Sequence, residues 1–164
     1  MSSSFGPIEA GIERVARRAS GMPRREVLVT RLYFHVYLKM SETYNRSLRR
    51  HGLNTTSWAA LMMIYASPDN QVFPSELSRV VSSSSTHATR LADELVEKGL
   101  VSRRACGEDR RKMILSLTRK GVALIEKLLP EHRVLLGRIW KVFSEADLRR
   151  LETLLRKLLI QVDD

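Results

Sequence analysis

The apolar residues between positions 84 and 99 recur at the spacing of an amphipathic helix. They occupy positions i, i+3, i+4, i+7 and i+8, at Ala88, Leu91, Ala92, Leu95 and Val96, which places them along one side of a helix. Gly99 follows as a typical helix stop. The pattern therefore predicts a helix over residues 84–97 with one buried and one exposed side.

Upstream, the pattern predicts a short helix and then a long one. The first 23 residues hold three glycines and two prolines, so we interpret them as an arm with one short helix over residues 8–19. A long helix over residues 24–50, ended by Gly52, follows. At about 1.5 Å per residue it would run roughly 40 Å, and we expect part of it to pack on a second subunit.

Two further helices precede the one over residues 84–97. The first can be capped by Asn54, Thr55 or Thr56 and ends before the turn residues at 68–70. Its expected buried residues are Trp58, Leu61, Met62 and Tyr65. A short helix over residues 75–81 follows Pro74, a residue tolerated in a first helical turn.

Two short strands are predicted after Gly99. Residues 100–104 and 111–117 pair as a β-hairpin across a polar loop. A helix then opens at Thr118 and runs through Phe143, bent or interrupted at Pro130. Ser144 and Asp147 have capping-box spacing for a last helix, whose apolar residues form a seam suited to another helix: Leu148, Leu151, Leu155, Leu158 and Val162.

The order helix, turn, helix, hairpin over residues 75–117 is that of a winged helix-turn-helix, whose second helix enters the DNA major groove. We therefore expect a mainly α-helical chain with a small β-hairpin wing. The expected organisation is an N-terminal arm (1–23), a long N-terminal helix (24–52), a winged helix-turn-helix DNA-binding region (53–121) and C-terminal helices (122–164).

The net charge favours a polyanionic partner. The 164 residues carry 28 Lys and Arg against 18 Asp and Glu, a formal charge of +10, and such a field attracts nucleic acid. The longest apolar run, residues 58–66, has nine residues, far fewer than the roughly 20 of a membrane-spanning helix. Residues 1–6 lack the features of an export signal, so we expect a cytoplasmic protein.

The sequence does not predict catalysis. His35, His51, His87 and His132 are dispersed, and there is no HExxH motif, glycine-rich phosphate loop or nucleophile elbow. The single cysteine, Cys106, supplies neither an internal disulfide nor a paired-thiol metal site. We expect no enzyme activity, no metal and no cofactor. A constitutive architectural nucleic-acid-binding protein remains the alternative to a regulator.

The exposed side of the helix over residues 84–97 changes from neutral and basic to acidic along its length. Near its start lie Ser84, Ser85, Thr86, His87, Thr89 and Arg90, and near its end lie Asp93, Glu94 and Glu97. Because acidic groups beside phosphates lower affinity, the first two turns are predicted to face DNA. The alternative is that the serines only cap the helix and Arg90 is a solvated surface charge.

The predicted wing is strongly basic. Residues 99–121 hold seven Lys and Arg against two acids. An arginine at a hairpin tip fits a narrow minor groove, which favours Arg110 and Arg111 for that role. Asp109 is expected to hold Arg111 in place by a charge-assisted hydrogen bond. The cations assigned to phosphates are Arg103, Arg104 and Lys112.

The wing residues resemble a known family. The pattern Asp-x-Arg, five residues, Leu-Thr, two residues, Gly is matched by Asp109, Arg111, Leu117, Thr118 and Gly121, and it is similar to that of the MarR (multiple antibiotic resistance regulator) family. The likeness extends through residues 74–78, 89–91 and 95–101. Residues 4–9, 28–32 and 88–95 resemble the EmrR (MprA) branch of efflux regulators, which connects the chain with multidrug resistance.

This resemblance implies a homodimer joined by an N-terminal dimerisation helix (24–52) and C-terminal dimerisation helices (122–164). It further implies a pseudo-palindromic operator in double-stranded DNA, and repression relieved by a small aromatic or phenolic effector. It also implies an effector pocket lined by the helices that carry His35, Trp58, Met62 and Tyr65; core packing is the alternative for each of them. The chain departs from the family at residues 82–85, where many members have a glycine and a basic residue, so base preference does not transfer.

Cys106 lies in the predicted wing loop among Arg103, Arg104 and Arg110, and neighbouring cations favour the thiolate. Cys106 is therefore a candidate for an oxidation switch. A passive surface thiol is the alternative, because this chain lacks the N-terminal cysteine of the family's peroxide sensors.

Overall fold

The computed structural model describes residues 4–80, 85–106 and 113–163, and the chain divides into two compact units. The first unit comprises residues 1–63 and 75–91, and the second comprises residues 64–74 and 92–164. Along the described residues, the elements are α1 (Gly6–Arg18), α2 (Arg24–Arg49), α3 (Thr55–Ala66), a 3₁₀ turn (Pro68–Asn70), β1 (Gln71–Val72), α4 (Pro74–Val80), α5 (Ser85–Glu97), β2 (Val101–Ala105), β3 (Met113–Leu117), α6 (Arg119–Trp140) and α7 (Glu145–Asp163).

In the first unit, the predicted arm contains α1, which packs on α2. Phe5 is buried, and its ring centroid lies 5.5 Å from that of His35. Ser4 Oγ is 2.8 Å from Nε2 of the same histidine. Arg24 at the start of α2 forms an ion pair with Glu13 of α1. These contacts join the N-terminal residues to the long helix, whose predicted extent is confirmed to within one residue.

The turn into α3 depends on local backbone chemistry. Gly52 adopts a φ of 69°, which glycine reaches without steric cost. Asn54 Oδ1 accepts a hydrogen bond from the Ser57 N–H at 2.8 Å, and Ser57 Oγ accepts one from the Asn54 N–H at 2.8 Å. This reciprocal cap satisfies two backbone donors at the helix start and identifies Asn54 among the three predicted candidates.

The second unit contains a three-stranded antiparallel sheet in the order β1-β3-β2. Val72 and Arg103 both stand opposite Leu115, on either side of the central strand. The buried residues around this sheet include Val72, Ala92, Leu95, Leu100, Val101, Leu115, Ile125 and Leu128. The predicted hairpin is therefore present, and β1 adds a third strand that has only two residues.

The last two helices differ in part from the prediction. α6 continues through Pro130 without interruption and ends at Trp140 rather than Phe143. Pro130 is exposed, so water can satisfy the carbonyl that its missing N–H leaves unpaired. The Ser144 and Asp147 capping box is confirmed, with the Ser144 N–H 3.0 Å from Asp147 Oδ2 and the Asp147 N–H 3.2 Å from Ser144 Oγ.

No helix in the described ranges is both long and apolar enough to cross a membrane.

Candidate nucleic-acid interface

Helix α5 presents the side chains predicted to read DNA. Ala88, Leu91, Ala92 and Leu95 are buried, whereas His87, Thr89 and Arg90 are exposed. The amphipathic pattern is confirmed at these positions, but it is wrong at Val96, which is 36% exposed in the last turn of the helix. Ser85 and Thr86 begin the helix, but their side chains lie outside the part that the structure describes, and Ser84 lies outside the described residues altogether. Three of the six candidate side chains on this helix are therefore placed on its exposed side.

The second half of α5 contacts the wing through Asp93. Its Oδ1 lies 2.9 Å from Arg103 Nη2 of β2, with 57% of the aspartate side chain and 31% of the arginine side chain exposed. The sequence alone predicts only that Asp93 faces away from DNA. The structure gives it an ion-pair partner from an element that a helical pattern alone does not reveal.

Arg103 and Arg104, both predicted to contact phosphates, lie on opposite faces of the sheet. Arg103 pairs with Leu115, which is fully buried, whereas Arg104 pairs with Ile114; directly paired residues share a face and successive residues alternate. Arg104 Nη2 donates to Gln71 Oε1 at 2.9 Å, reaching across β3 to β1. Both guanidinium groups thus have protein partners, and their phosphate contacts stay a prediction.

At the base of the wing, the Leu-Thr-x-x-Gly part of the sequence motif (residues 117–121) joins the start of α6 to the residues that precede β2. Thr118 caps α6 by accepting from the Gly121 N–H at 3.0 Å, and its hydroxyl donates to the Gly99 carbonyl at 2.7 Å. Its own N–H donates to the Leu100 carbonyl at 3.1 Å. Gly121 is buried, and an added Cβ would lie 2.2 Å from that same Leu100 oxygen. The threonine and the glycine therefore fix the start of α6 against the start of β2.

The predicted tip of the wing lies outside the described residues. This applies to Asp109, Arg110, Arg111 and Lys112, so their assigned roles stay predictions. Cys106 follows the end of β2 as a half-buried free thiol, and its redox role also stays a prediction.

The predicted effector residues occupy α2 and α3. On α3, Trp58, Met62 and Tyr65 follow one another at four- and three-residue steps and so share one side of the helix. Trp58 is 7% exposed, whereas Met62 and Tyr65 are half-buried. His35 on α2 contacts Ser4 and Phe5.

A cavity of about 700 Å³ lies elsewhere, between α6 and α7 in the second unit, and none of the predicted effector residues lines it. Its walls are mostly apolar and are formed by Leu136, Gly137, Trp140, Leu148, Leu151, Glu152, Leu155, Arg156 and Leu159. Within the described parts of the chain, His, Cys, Asp and Glu side chains form no group of three or more that could hold a metal ion.

A model of the MarR family matches residues 51–112. The transcriptional repressor MprA of Escherichia coli strain K12 is 39% identical over 163 residues, which cover 99% of this chain and 93% of that protein.

Solved structures share the fold. AbsC, a MarR family transcriptional regulator from Streptomyces coelicolor, superposes with a TM-score of 0.81 at 20% identity and covers 88% of this chain and 99% of its own. A cysteine-to-serine variant of MarR from E. coli, complexed with operator DNA, gives a TM-score of 0.74 at 27% identity, covering 85% of this chain and 99% of its own.

Proposed function

Because the chain belongs to the MarR family, we propose that it is a transcriptional repressor that binds a pseudo-palindromic operator in double-stranded DNA as a homodimer. The observation that carries the proposal is the 39% identity to a transcriptional repressor over 99% of this chain. Likeness over that length includes the DNA-reading elements and both terminal regions. The element order α4, α5, β2, β3 supports it, since this is the order of a winged helix-turn-helix.

In this proposal α5 lies in the major groove. Thr86, His87 and Arg90 are the residues assigned to base edges, and Ser84, Ser85 and Thr89 the additional polar contacts. The exposure of His87, Thr89 and Arg90 supports the assignment. In the wing, Arg111 enters the minor groove beside Arg110, Asp109 orients it, and Lys112 contacts phosphate; the basic composition of residues 99–121 supports these roles.

Selection of bound sequences from random or genomic DNA tests the function. A repressor should prefer its selected site over random DNA by roughly 10³-fold or more. A constitutive architectural protein, the alternative, should show a steep dependence on salt and little sequence preference. A selected pool that yields no common motif would overturn the repressor proposal in favour of this alternative.

Substitution of Arg111 tests the wing assignment. Arg111→Ala should weaken operator binding by about 1 to 3 kcal/mol, whereas His87→Ala should change the selected sequence. Arg149→Ala is the matched control, because Arg149 lies exposed on α7 and pairs with Glu145 one turn earlier. Affinity equal to that of the unmodified protein in Arg111→Ala would refute the wing assignment.

Exposed apolar side chains support the homodimer. α7 has no buried residue, and α2 likewise exposes large apolar side chains. The exposed set includes Val29, Leu32, Tyr33, Phe34, Val36, Tyr37 and Leu38 on α2, and Leu154, Leu155, Leu158, Leu159, Ile160 and Val162 on α7. Apolar surface of this extent on a chain is typical of a protein interface. The cavity between α6 and α7 offers a place for part of the partner subunit.

Light scattering after size-exclusion chromatography tests the dimer. Leu155→Asp puts a charge on the wall of the cavity and should shift the protein towards monomers at low micromolar concentration. Thr153→Asp makes the same change of one charge at an exposed position on the same helix, outside the cavity lining, and should leave the dimer intact. A monomeric unmodified protein, or an unaffected Leu155→Asp dimer, would contradict the proposed interface.

The proposed repression is relieved by a small aromatic or phenolic effector. Met62 and Tyr65 share a side of α3 and remain half-buried, so a ligand can still contact them; the burial of Trp58 better fits core packing. His35 supplies a half-buried polar ring. Thermal shift and operator release should be measured for a series of phenols and aromatic acids. The same series should be measured with Tyr65→Phe, which keeps the ring and removes only the hydroxyl. The absence of both effects across the series would remove the effector from the proposal.

A further inference from the structure

We propose that Asp93 is a positioning residue for DNA binding, which holds the wing strand β2 against the second half of α5 through Arg103. This inference rests on the proposed function, because it concerns how the wing reaches the operator. Asp93 itself need not touch DNA, and Arg103 acts as a link between elements rather than as a cation reserved for phosphate.

The direction of Arg103 is set by the strand register. The sheet face that carries Arg103 also carries Val72, Val101 and Leu115, and these three are buried. Among the described residues of the three strands, Arg103 is the charged residue on an otherwise apolar face, and its side chain is 31% exposed. A partly desolvated guanidinium group needs a partner, and Asp93 Oδ1 provides it at 2.9 Å.

On the other face of the sheet, a second side-chain contact holds β2 in place. Arg104 crosses the central strand and donates to Gln71 of β1 at 2.9 Å. Neighbouring arginines of one strand therefore hold it from two sides, Arg103 towards α5 and Arg104 towards β1. Ala105 ends β2 immediately afterwards, so a change in the direction of the strand at Arg103 is passed directly to the segment that leads into the predicted wing tip.

Removing the negative charge of Asp93 distinguishes a positioning role from simple repulsion of DNA, because the two predict opposite changes in operator affinity. If Asp93 were only an acid near DNA, Asp93→Asn would relieve repulsion from phosphates and tighten operator binding slightly. If Asp93 positions β2, the same substitution should weaken binding by about twofold to fivefold, which is the size expected for the loss of an ion pair this exposed. Asp93→Glu, which keeps the charge, should restore at least part of the affinity.

Glu97→Gln is the matched control. Glu97 is exposed in the last turn of the same helix, so this variant removes the same charge without touching Arg103. The double variant Asp93→Asn with Arg103→Gln provides a further check. Under positioning it should bind about as well as Arg103→Gln alone, because each single change already breaks the same link. If Asp93 and Arg103 acted independently, the losses of affinity in the two single variants should add in the double variant.

The experiment combines operator affinity with amide hydrogen exchange of residues 101–105 in the absence of DNA. Exchange in β2 should be faster in Asp93→Asn than in Glu97→Gln, and affinity should fall only in Asp93→Asn. Exchange equal in the two variants would overturn the proposed link; so would faster exchange with unchanged or tighter binding. If the unmodified protein shows no sequence preference, the proposed function fails, whereas the exchange measurement still decides whether Asp93 holds β2.

Discussion

Replacement of Gly121 by alanine tests how the base of the wing is built. Gly121 lies in the first turn of α6, and a Cβ on it would meet the Leu100 carbonyl oxygen at 2.2 Å and the carbonyl carbon at 3.1 Å. Both are backbone atoms, so no side-chain rotation can relieve the overlap. The Leu100 oxygen is also held in place, because it accepts the Thr118 N–H at 3.1 Å.

The expected magnitude follows from opposing terms. Alanine in place of a helical glycine would by itself stabilise α6 by about 1 kcal/mol. Overpacking against a fixed backbone costs about 1 to 3 kcal/mol. The displacement of Leu100 also strains or breaks its hydrogen bond with Thr118, which contributes about 1 kcal/mol. We therefore expect Gly121→Ala to lower the free energy of unfolding by about 1 to 3 kcal/mol.

Urea unfolding at one fixed protein concentration measures this change, since the stability of a dimer depends on concentration. Gly11→Ala is the control, because a Cβ at that helical glycine meets only the tip of the Arg14 side chain, at 3.9 Å. It should stabilise the protein by about 0.5 to 1 kcal/mol. A Gly121→Ala variant as stable as the unmodified protein would show that β2 and α6 do not approach one another this closely.

Three further outcomes are expected. Ser57→Ala should lower stability to urea by about 1 to 2 kcal/mol, since the fully buried hydroxyl completes the reciprocal cap of α3; an unfolding midpoint equal to that of Thr56→Ala would contradict this. Burial lowers the pKa of His132, so stability should fall as pH drops through about 6.5 and His132→Gln should flatten that slope. Hydrogen bonds from Ser144 lower the pKa of Asp147. The stabilisation of α7 should therefore be present above about pH 4 and be lost below it, and an acid titration of helicity unchanged in Asp147→Asn would oppose that reasoning.

Long periodic segments could be predicted from the sequence because their local signals agree with their packing. The apolar stripe on α5 and the capping box at Ser144 each specify a helix without reference to distant residues, and both are present. Strand β1 could not be predicted, because its two residues show no alternation and owe their conformation to pairing with Leu115 and Ser116 of β3. Proline argues against a helix interior by default, but the exposed position of Pro130 allows α6 to continue.

At the base of the wing, the number of Lys and Arg residues in the sequence does not reveal which of them contact DNA and which contact the protein. From the sequence, Arg103 and Arg104 were equivalent cations, yet the strand alternation sends one to Asp93 and the other to Gln71. Lys120 likewise donates to the Lys98 carbonyl at 2.7 Å. Three of the seven cations in residues 99–121 therefore have protein partners. Of the other four, Arg119 begins α6, whereas Arg110, Arg111 and Lys112 belong to the predicted wing tip, and phosphate and groove contacts are expected to depend chiefly on these last three. Arg103 and Arg104 then affect DNA binding mainly by fixing the direction of β2, the strand that leads into the predicted wing tip.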